Sequence, residues 1–293
     1  MSGQLKEVRN RIKSVQSTQQ ITKAMKMVSA AKLRHAQESI VQMRPYAQKL
    51  QEMLSNIVSS LGGESDMKLA EERPVEKVLL FVITSDRGLA GAYNANVIKL
   101  AKQIIAEKYQ KQFDKGNVTI WNIGKRGYDS LTKAGYKTSD AYKDIFINLN
   151  FDQVQKAAQA AVLAFNDKEF DAVEIIYSKF VNAATQRFVS EQFLPIPKIE
   201  KEAGQKNIDF IYEPEKEKLI TDLIPKILNT QLYKAVLDAN ASEHGARMTA
   251  MDKATENADE ILRNLRISYN SARQASITTE LTEIVSGAAA LQG

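Results

Sequence analysis

Residues Val78–Thr84 read VLLFVIT, an uninterrupted apolar run that decides the fold class of the middle of the chain. A strand that is buried on both faces of a sheet has this composition, and such strands are typical of parallel sheets. Helix spacing follows over Asn94–Tyr109, and a second strand is predicted at Val118–Ile123. Because the order is β-α-β, the sequence predicts right-handed crossovers and a mostly parallel sheet.

The same alternation of signals continues downstream. A short helix to Ala134 follows the second strand, and an alanine-rich helix is predicted at Val154–Phe165. Two further strands, Ala172–Phe180 and Phe188–Leu194, are separated by a polar turn, which indicates a hairpin toward one edge of the sheet. Residues 64–214 are therefore expected to form a central, Rossmann-like α/β domain.

The segments on either side of this domain have the composition of very long helices. Leu5–Leu61 contains one proline, Pro45, and no glycine, while Lys226–Leu291 contains no proline and only two glycines. A helix over the second segment would be roughly 100 Å long, more than a compact domain of this size needs. We therefore expect the helices within residues 1–61 and 215–293 to pack together as a long antiparallel coiled coil.

The first helix opens with apolar residues at coiled-coil spacing. The intervals are three, four and three residues over Leu5, Val8, Ile12 and Val15. The apolar pattern is then interrupted by Gln19 and Thr22. It is expected to slip at this point and to continue through Ile21, Met25 and Val28, which would make the supercoil locally irregular.

The distal part of the last helix is unusually apolar. Its apolar positions drift around the helix and end in a group formed by Ile277, Leu281, Ile284 and Leu291. No charged side chain follows Glu283. Because an exposed terminus is ordinarily polar, we expect this apolar tip to be enclosed by a larger surface, most plainly that of another protein.

Composition limits the remaining possibilities. The chain has 293 residues, no cysteine and no run of about 18 apolar residues that could span a membrane. The formal net charge of +5 is uneven, since residues 1–60 carry ten lysines and arginines against three glutamates. A basic first helix indicates either a solvated face or an acidic neighbour. Nucleic acid is not expected as a partner, because the charges are spread out and no aromatic residue precedes Tyr46.

No constellation of residues predicts an active site. The turn Gly88–Gly91 could hold a phosphate, but the glycine spacings of dinucleotide-binding and phosphate-binding loops are absent, and a tight structural turn is favoured. His35 and His244 have no histidine or glutamate at metal-ligand spacing. The sequence therefore predicts no catalytic residue, no cofactor site and no metal site.

Four motifs carry a resemblance to a known family. They are ITTELTEIVSGAAA at Ile277–Ala290, ITKAMKMV at Ile21–Val28, SDRGLAG at Ser85–Gly91 and ARMTAM at Ala246–Met251. In these motifs and over its whole length, the chain resembles the γ subunit of bacterial F-type ATP synthases.

The resemblance implies a fold and a mechanical function. The terminal helices would form a coiled coil that enters an α3β3 catalytic hexamer, and the α/β domain would bind the ε subunit and the membrane-embedded c-ring. Rotation of this central stalk would transmit torque from the c-ring to the hexamer and couple ion translocation to ATP synthesis or hydrolysis. Such a subunit is non-catalytic, binds no cofactor and lies peripherally at the cytoplasmic face of the bacterial membrane.

The resemblance also implies contact residues, position by position. Those expected to contact the hexamer are Lys23, Met25, Lys26, Arg247, Arg273, Gln274, Thr278 and Glu280. Those expected to rest on the c-ring and the ε subunit are Phe210, Tyr212 and Glu213.

Two alternatives remain open on the sequence alone. One is an enzyme whose α/β domain binds a nucleotide and whose coiled coil makes it a dimer; micromolar binding of ATP or NAD would favour it. The other is a coiled-coil scaffold for signalling, which co-purification with a hexameric ATPase would exclude.

Overall fold

The computed structural model describes residues 2–60, 68–71, 73–196 and 216–292. Six α-helices, two short 3₁₀ helices (Lys68–Ala70 and Ile145–Asn148) and five strands lie in this part of the chain. The helices are α1 (Ser2–Ser60), α2 (Tyr93–Lys108), α3 (Gln110–Asp114), α4 (Lys125–Lys133), α5 (Phe151–Asn166) and α6 (Lys216–Gln292). The strands are β1 (Val78–Ile83), β2 (Val118–Ile123), β3 (Thr138–Ser139), β4 (Ala172–Phe180) and β5 (Gln186–Leu194).

The five strands form one mixed sheet in the order β3-β2-β1-β4-β5. β1 pairs in parallel with β2 on one side and with β4 on the other, and β3 extends the parallel part. β4 and β5 pair antiparallel and place a hairpin at the edge. The expected mostly parallel sheet with an edge hairpin is confirmed.

Helices cover both faces of this sheet, which explains the composition of β1. All six side chains of β1 are buried, because they alternate between two apolar cores. One core packs α2 and α4 against the sheet, and the other packs α5 with the Ile224–Ala239 part of α6. At Gly124, which precedes α4, the backbone φ is +103° and a Cβ would lie 2.2 Å from the Thr84 carbonyl oxygen, so only glycine fits this close approach.

Two compact units share the long helices. The first, which we call the helical unit, consists of Met1–Ser29 and Met248–Gly293. The second, which we call the sheet unit, consists of Ala30–Arg247. The expected domain limits near residues 61–64 and 214–215 lie outside the described residues. α1 continues through Pro45, and α6 continues through Pro225.

The helical unit is an antiparallel pair of helices. Contacts join Arg9 to Tyr269, Thr22 to Thr255, and Lys26 to Asp252, so residue numbers rise along α1 as they fall along α6. The expected antiparallel coiled coil is confirmed for this part of the chain. None of the described helices holds an 18-residue stretch apolar enough to cross a membrane.

Candidate partner-binding surfaces

The seam of the helical unit keeps one heptad spacing on both helices. On each helix, intervals of three and four residues alternate without a break along one row of buried or half-buried side chains. On α1 these are Leu5, Val8, Ile12, Val15, Gln19, Thr22, Lys26 and Ser29. On α6 they are Met251, Thr255, Ala258, Leu262, Leu265, Tyr269 and Ala272.

The slip expected after Val15 is therefore wrong. Ile21 and Val28 are 57% and 58% exposed, whereas Thr22 and Ser29 are buried at the seam. The apolar pattern moves to the other side of the helix while the heptad spacing stays fixed. Sequence periodicity followed the apolar residues and so missed a seam whose middle is polar.

The polar seam positions of α1 find partners on α6 or on their own helix. Gln19 donates to the Asp259 carboxylate, and the hydroxyls of Thr22 and Thr255 lie 2.8 Å apart. The Lys26 ammonium lies 2.5 Å from Asp252 Oδ1. Because these groups are bonded, the polar layers avoid most of the cost of unpaired buried donors and acceptors.

Three expected partner-contact residues lie on this segment of α1. Lys23 is exposed and makes no ion pair with a described residue. Met25 is half-buried at the edge of the seam. Lys26 is half-buried and paired with Asp252 inside the chain. Contact of these three residues with another subunit stays a prediction.

The four expected hexamer contacts on distal α6 are largely exposed polar side chains. Arg273, Gln274, Thr278 and Glu280 are all exposed. Thr278 Oγ1 donates to the Gln274 carbonyl oxygen at 3.0 Å, and Glu280 accepts from Ser276 Oγ at 3.2 Å. Neither bond uses the Arg273 guanidinium, which is available to an acidic group.

The apolar tip is exposed along its length. The exposed fractions of Ile277, Leu281, Ile284 and Leu291 are 44%, 57%, 68% and 89%. Every side chain from Leu281 to Leu291 is exposed. An apolar helix end without cover in its own chain is a typical interaction surface.

Arg247 belongs to the sheet unit, where its guanidinium is bonded internally. It pairs with Glu243 one turn earlier on α6, and its Nη2 donates to the carbonyl oxygens of Arg87 and Gly88 at 3.1 Å each. His244 Nδ1 lies 2.8 Å from Glu243 Oε2, but no hydrogen bond joins the two atoms. Arg247 therefore joins α6 to the turn after β1, and its predicted contact with another subunit remains untested.

The turn after β1 is held by several elements at once. Ser85 N donates to Asn94 Oδ1 on α2 at 2.9 Å, and Gly127 N of α4 donates to Thr84 Oγ1 at 2.8 Å. Arg126 N donates to the Ser85 carbonyl oxygen at 3.0 Å. Because the first N–H groups of α4 are used in these bonds, this helix start is not open to a phosphate.

A polar cavity of about 520 Å³ lies beside this turn. Asp86, Arg87, Lys125, Asp144 and Glu243 are among its lining residues. Burial raises the pKa of Asp86, and the nearby Asp144 and Glu243 carboxylates add to the rise, while the Lys125 backbone N–H and Arg87 oppose it. Among the described residues no group of three or more histidines and carboxylates could hold a metal ion. The lining of the cavity carries side chains of both charges.

The segment with Phe210, Tyr212 and Glu213 lies outside the described residues. The sequence missed two features within the described part, namely the Glu243–Arg247 pair and the outward position of Ile21 and Val28. The four-residue spacing of Glu243 and Arg247 in the sequence was the signal that could have predicted the first feature. For the second, the unbroken heptad through Gln19, Thr22 and Lys26 was the available signal.

Comparisons with known proteins agree with this architecture. The chain matches the family described as ATP synthase over residues 4–291. It is 52% identical over 290 residues to the ATP synthase gamma chain of Cytophaga hutchinsonii, with 98% of both chains covered. It is 48% identical over 291 residues to the ATP synthase gamma chain of Chlorobium phaeobacteroides, with 99% of both covered.

Solved structures show the same fold at lower identity. A chain of the mitochondrial ATP synthase rotor of Euglena gracilis superposes with a TM-score of 0.64 at 21% identity, covering 94% of this chain and all of that one. A chain in the central stalk and c-ring structure of the Tetrahymena thermophila mitochondrial ATP synthase gives a TM-score of 0.57 at 23% identity, covering 80% and 99%. With close to half of all residues identical to its bacterial relatives over nearly full length, the chain belongs to the ATP synthase gamma chain family.

Proposed function

We propose that this chain is the central-stalk rotor subunit of the F1 part of an F1Fo ATP synthase. It carries torque between the c-ring and the α3β3 hexamer and so couples ion translocation to ATP synthesis or hydrolysis. It takes part in no bond-breaking step itself and holds no cofactor. Membership in the gamma chain family supports this function.

The observation that carries the proposal is the bare apolar end of α6. Eleven consecutive residues, Leu281–Leu291, expose their side chains, and none after Glu283 is charged. Leaving several large apolar side chains in water costs about 1.5–3 kcal/mol each relative to full burial. A sleeve provided by the hexamer would bury them, and an uncharged surface can turn in it without breaking ion pairs at each step.

The polar residues before the tip would contact the same hexamer. Each residue turns an α-helix by about 100°. One face of α6, about 60° wide, is therefore shared by Arg273, Ile277, Glu280 and Ile284. In this arrangement one face presents a guanidinium, a carboxylate and two apolar side chains. Gln274 and Thr278 lie about 90° and 130° around the helix from the centre of this face.

The other partners of the proposed subunit would be bound by the sheet unit and by the segment after β5. We assign to them the contacts with the ε subunit and the c-ring, including Phe210, Tyr212 and Glu213. The chain would then lie peripherally at the cytoplasmic face of the cell membrane, held there through the ring. The domain division at residues 1–61, 64–214 and 215–293 is part of the same proposal.

Reconstitution tests the proposed function. The full chain is combined with the α and β subunits of the same organism, and the complex is isolated by size and assayed for ATP hydrolysis. We expect the chain to join the hexamer in a single copy and to rotate when ATP is supplied, as a bead attached to the sheet unit would report. A chain that stays outside the hexamer, or that turns over ATP or another nucleotide alone, would contradict the proposal.

A further inference from the structure

The segments that cover the two faces of the sheet differ in charge. Residues 93–137, which include α2, α3, β2 and α4, carry nine lysines and arginines against three aspartates and glutamates. Residues 151–171, which include α5 on the other face, carry two lysines against four carboxylates. Both segments pack on an apolar core, so packing alone does not explain the difference.

Six of the nine basic residues form what we call the lysine face. Each of the six is exposed, and none belongs to an ion pair among the described residues. Lys108 is left out because it pairs with the buried Glu174 carboxylate. Arg126 lies against Gly88, and Lys125 lines the cavity beside β1, so neither belongs to the face. The members are Lys99 and Lys102 on α2, Lys111 and Lys115 at α3, Lys133 on α4 and Lys137 after it.

Contacts between the helices make the lysine face continuous. α2 packs beside α4, and both lie on the same apolar core. Lys102 Nζ lies 5.7 Å from the centre of the Tyr136 ring, and that ring lies 5.1 Å from the Phe113 ring of α3. Lys99 lies one turn from Lys102, about 4.5 Å along the axis of α2. The three helices therefore present one basic surface.

The lysine face has no apolar anchors. None of the large apolar side chains of residues 93–137 is exposed. Specific protein interfaces depend on a few aromatic or aliphatic anchors at their centre, and lysine is depleted in them. An anionic lipid surface attracts lysines through its negative potential and requires no anchor. The face therefore fits a lipid surface better than it fits an acidic protein.

We propose that the lysine face binds the surface of a bilayer that contains anionic phospholipids. Clusters of about four to eight basic residues are typical of such binding, and the face has six. The attraction acts over about 10 Å at 0.1 M salt, so no side chain has to enter the hydrocarbon. Because no headgroup is held at a fixed place, a rotating subunit could turn over the membrane without breaking a specific contact. This inference rests on the proposed function, which holds the chain at the membrane only through the ring, and deepens it.

Vesicle binding tests the inference with the full chain in the reconstituted α3β3 complex, where the proposed function covers the apolar tip. The complex is sedimented with vesicles of phosphatidylcholine alone or of phosphatidylcholine and phosphatidylglycerol, and α3β3 without the chain gives the background. We expect binding to the anionic vesicles only, and we expect it to weaken as salt is raised. Each lysine near an anionic surface contributes about fivefold in affinity. Lys99→Gln/Lys102→Gln should therefore weaken binding by roughly twentyfold.

Lys156→Gln/Lys168→Gln is the matched control, since it removes two exposed charges on the other face of the sheet. Helix content and the unfolding midpoint of both double variants should match wild type, and the control should bind vesicles as wild type does. Glycerophosphoglycerol, the soluble headgroup of the same lipid, should not displace the complex at matched ionic strength, because a single phosphate meets only part of the face.

Four results would overturn the inference. They are equal binding to neutral vesicles, no binding to anionic ones, equal weakening by the two double variants, and displacement by the soluble headgroup. Failure of the wild-type chain to join the hexamer would instead contradict the proposed function. The two double variants can then be compared on the free chain, so the two failures are distinguishable.

Discussion

The Lys26 ammonium lies 2.5 Å from the Asp252 carboxylate across the seam between α1 and α6. Both side chains remain about two-fifths exposed, so water screens the pair. A double-mutant cycle of Lys26→Ala and Asp252→Ala should give a coupling below about 1 kcal/mol in the free energy of unfolding. Urea denaturation at low and at 1 M salt measures it, and the coupling should shrink with salt. A larger coupling energy that does not change with salt would show that the Lys26–Asp252 pair is shielded from water.

The Arg247–Glu243 pair should matter more, because Glu243 is buried. Arg247→Ala removes the ion pair with Glu243 and two hydrogen bonds to the turn after β1, and it leaves the buried Glu243 carboxylate without its charged partner. We expect a loss of about 3 kcal/mol of unfolding free energy. Arg34→Ala is the control, since Arg34 makes the same i,i+4 contact with Glu38 on an exposed surface and should cost less than about 0.5 kcal/mol. Similar losses of unfolding free energy for Arg247→Ala and Arg34→Ala would contradict the larger contribution expected of the buried pair.

Gly124 tests the close approach of α4 to β1. In Gly124→Ala the new Cβ would meet the Thr84 carbonyl oxygen at 2.2 Å, with φ at +103°, and we expect a loss above about 3 kcal/mol. Gly116 also has a positive φ, +74°, but open space around it. Gly116→Ala should therefore cost only about 1 kcal/mol. Thermal unfolding of both variants gives the comparison, and equal costs would mean that the backbone relaxes at Gly124.

Asp238 on α6 should make stability depend on pH. It is buried, and burial raises its pKa from 3.8 to about 6, against the opposing influence of Lys234, Arg44 and Lys179. Because the folded pKa is raised, the stability that the neutral acid contributes is present below pH 4 and is lost as pH rises through 6.

Asp238→Asn should therefore gain stability over wild type between pH 4 and 8, up to about 3 kcal/mol. Denaturant titrations at pH 4.5 and 8 measure the difference. Glu256→Gln serves as the control, since Glu256 is exposed on the same helix. A difference between wild type and Asp238→Asn that is flat across this range would show that Asp238 is charged throughout.

The apolar tip gives a prediction for the assembled complex. Leu281→Lys/Ile284→Lys should leave the free chain within about 0.5 kcal/mol of wild type, because both side chains are exposed. In the α3β3 complex the same change should slow rotation or weaken assembly, since two charges would enter an apolar sleeve. ATP hydrolysis by the reconstituted complex is the readout. Unchanged ATP hydrolysis would contradict the proposal that the hexamer encloses the apolar tip.

Much of the fold could be predicted from residue patterns. The limits of β2 and β4 matched the expected ones, because buried β-branched and aromatic runs bounded by turn residues leave little choice. β3, with two residues, and α3, with five, carried no usable periodicity. The position of β3 depends on its pairing with β2, and that of α3 depends on the turn that leads into β2. The local sequence pattern contains no information on either.

The candidate partner-binding surfaces were harder to predict from the sequence than the fold was. Exposed polar positions such as Arg273 and Gln274 were named by resemblance, and the structure places both on the surface of α6. Ile21 and Val28 were placed in the seam because apolar residues ordinarily face the partner helix. The opposite holds here, since Thr22 and Ser29 occupy the seam positions while Ile21 and Val28 face outward.

The seam contacts between α1 and α6 described above join residues that are 226 to 260 positions apart. Closing such a loop has an entropic cost that local helix formation does not repay, and contacts of this range generally form late in folding. During synthesis the first 29 residues must therefore wait until α6 is nearly complete. Until then their seam positions lack the second helix, so apolar seam side chains such as Val8 and Ile12 stay exposed and prone to aggregation.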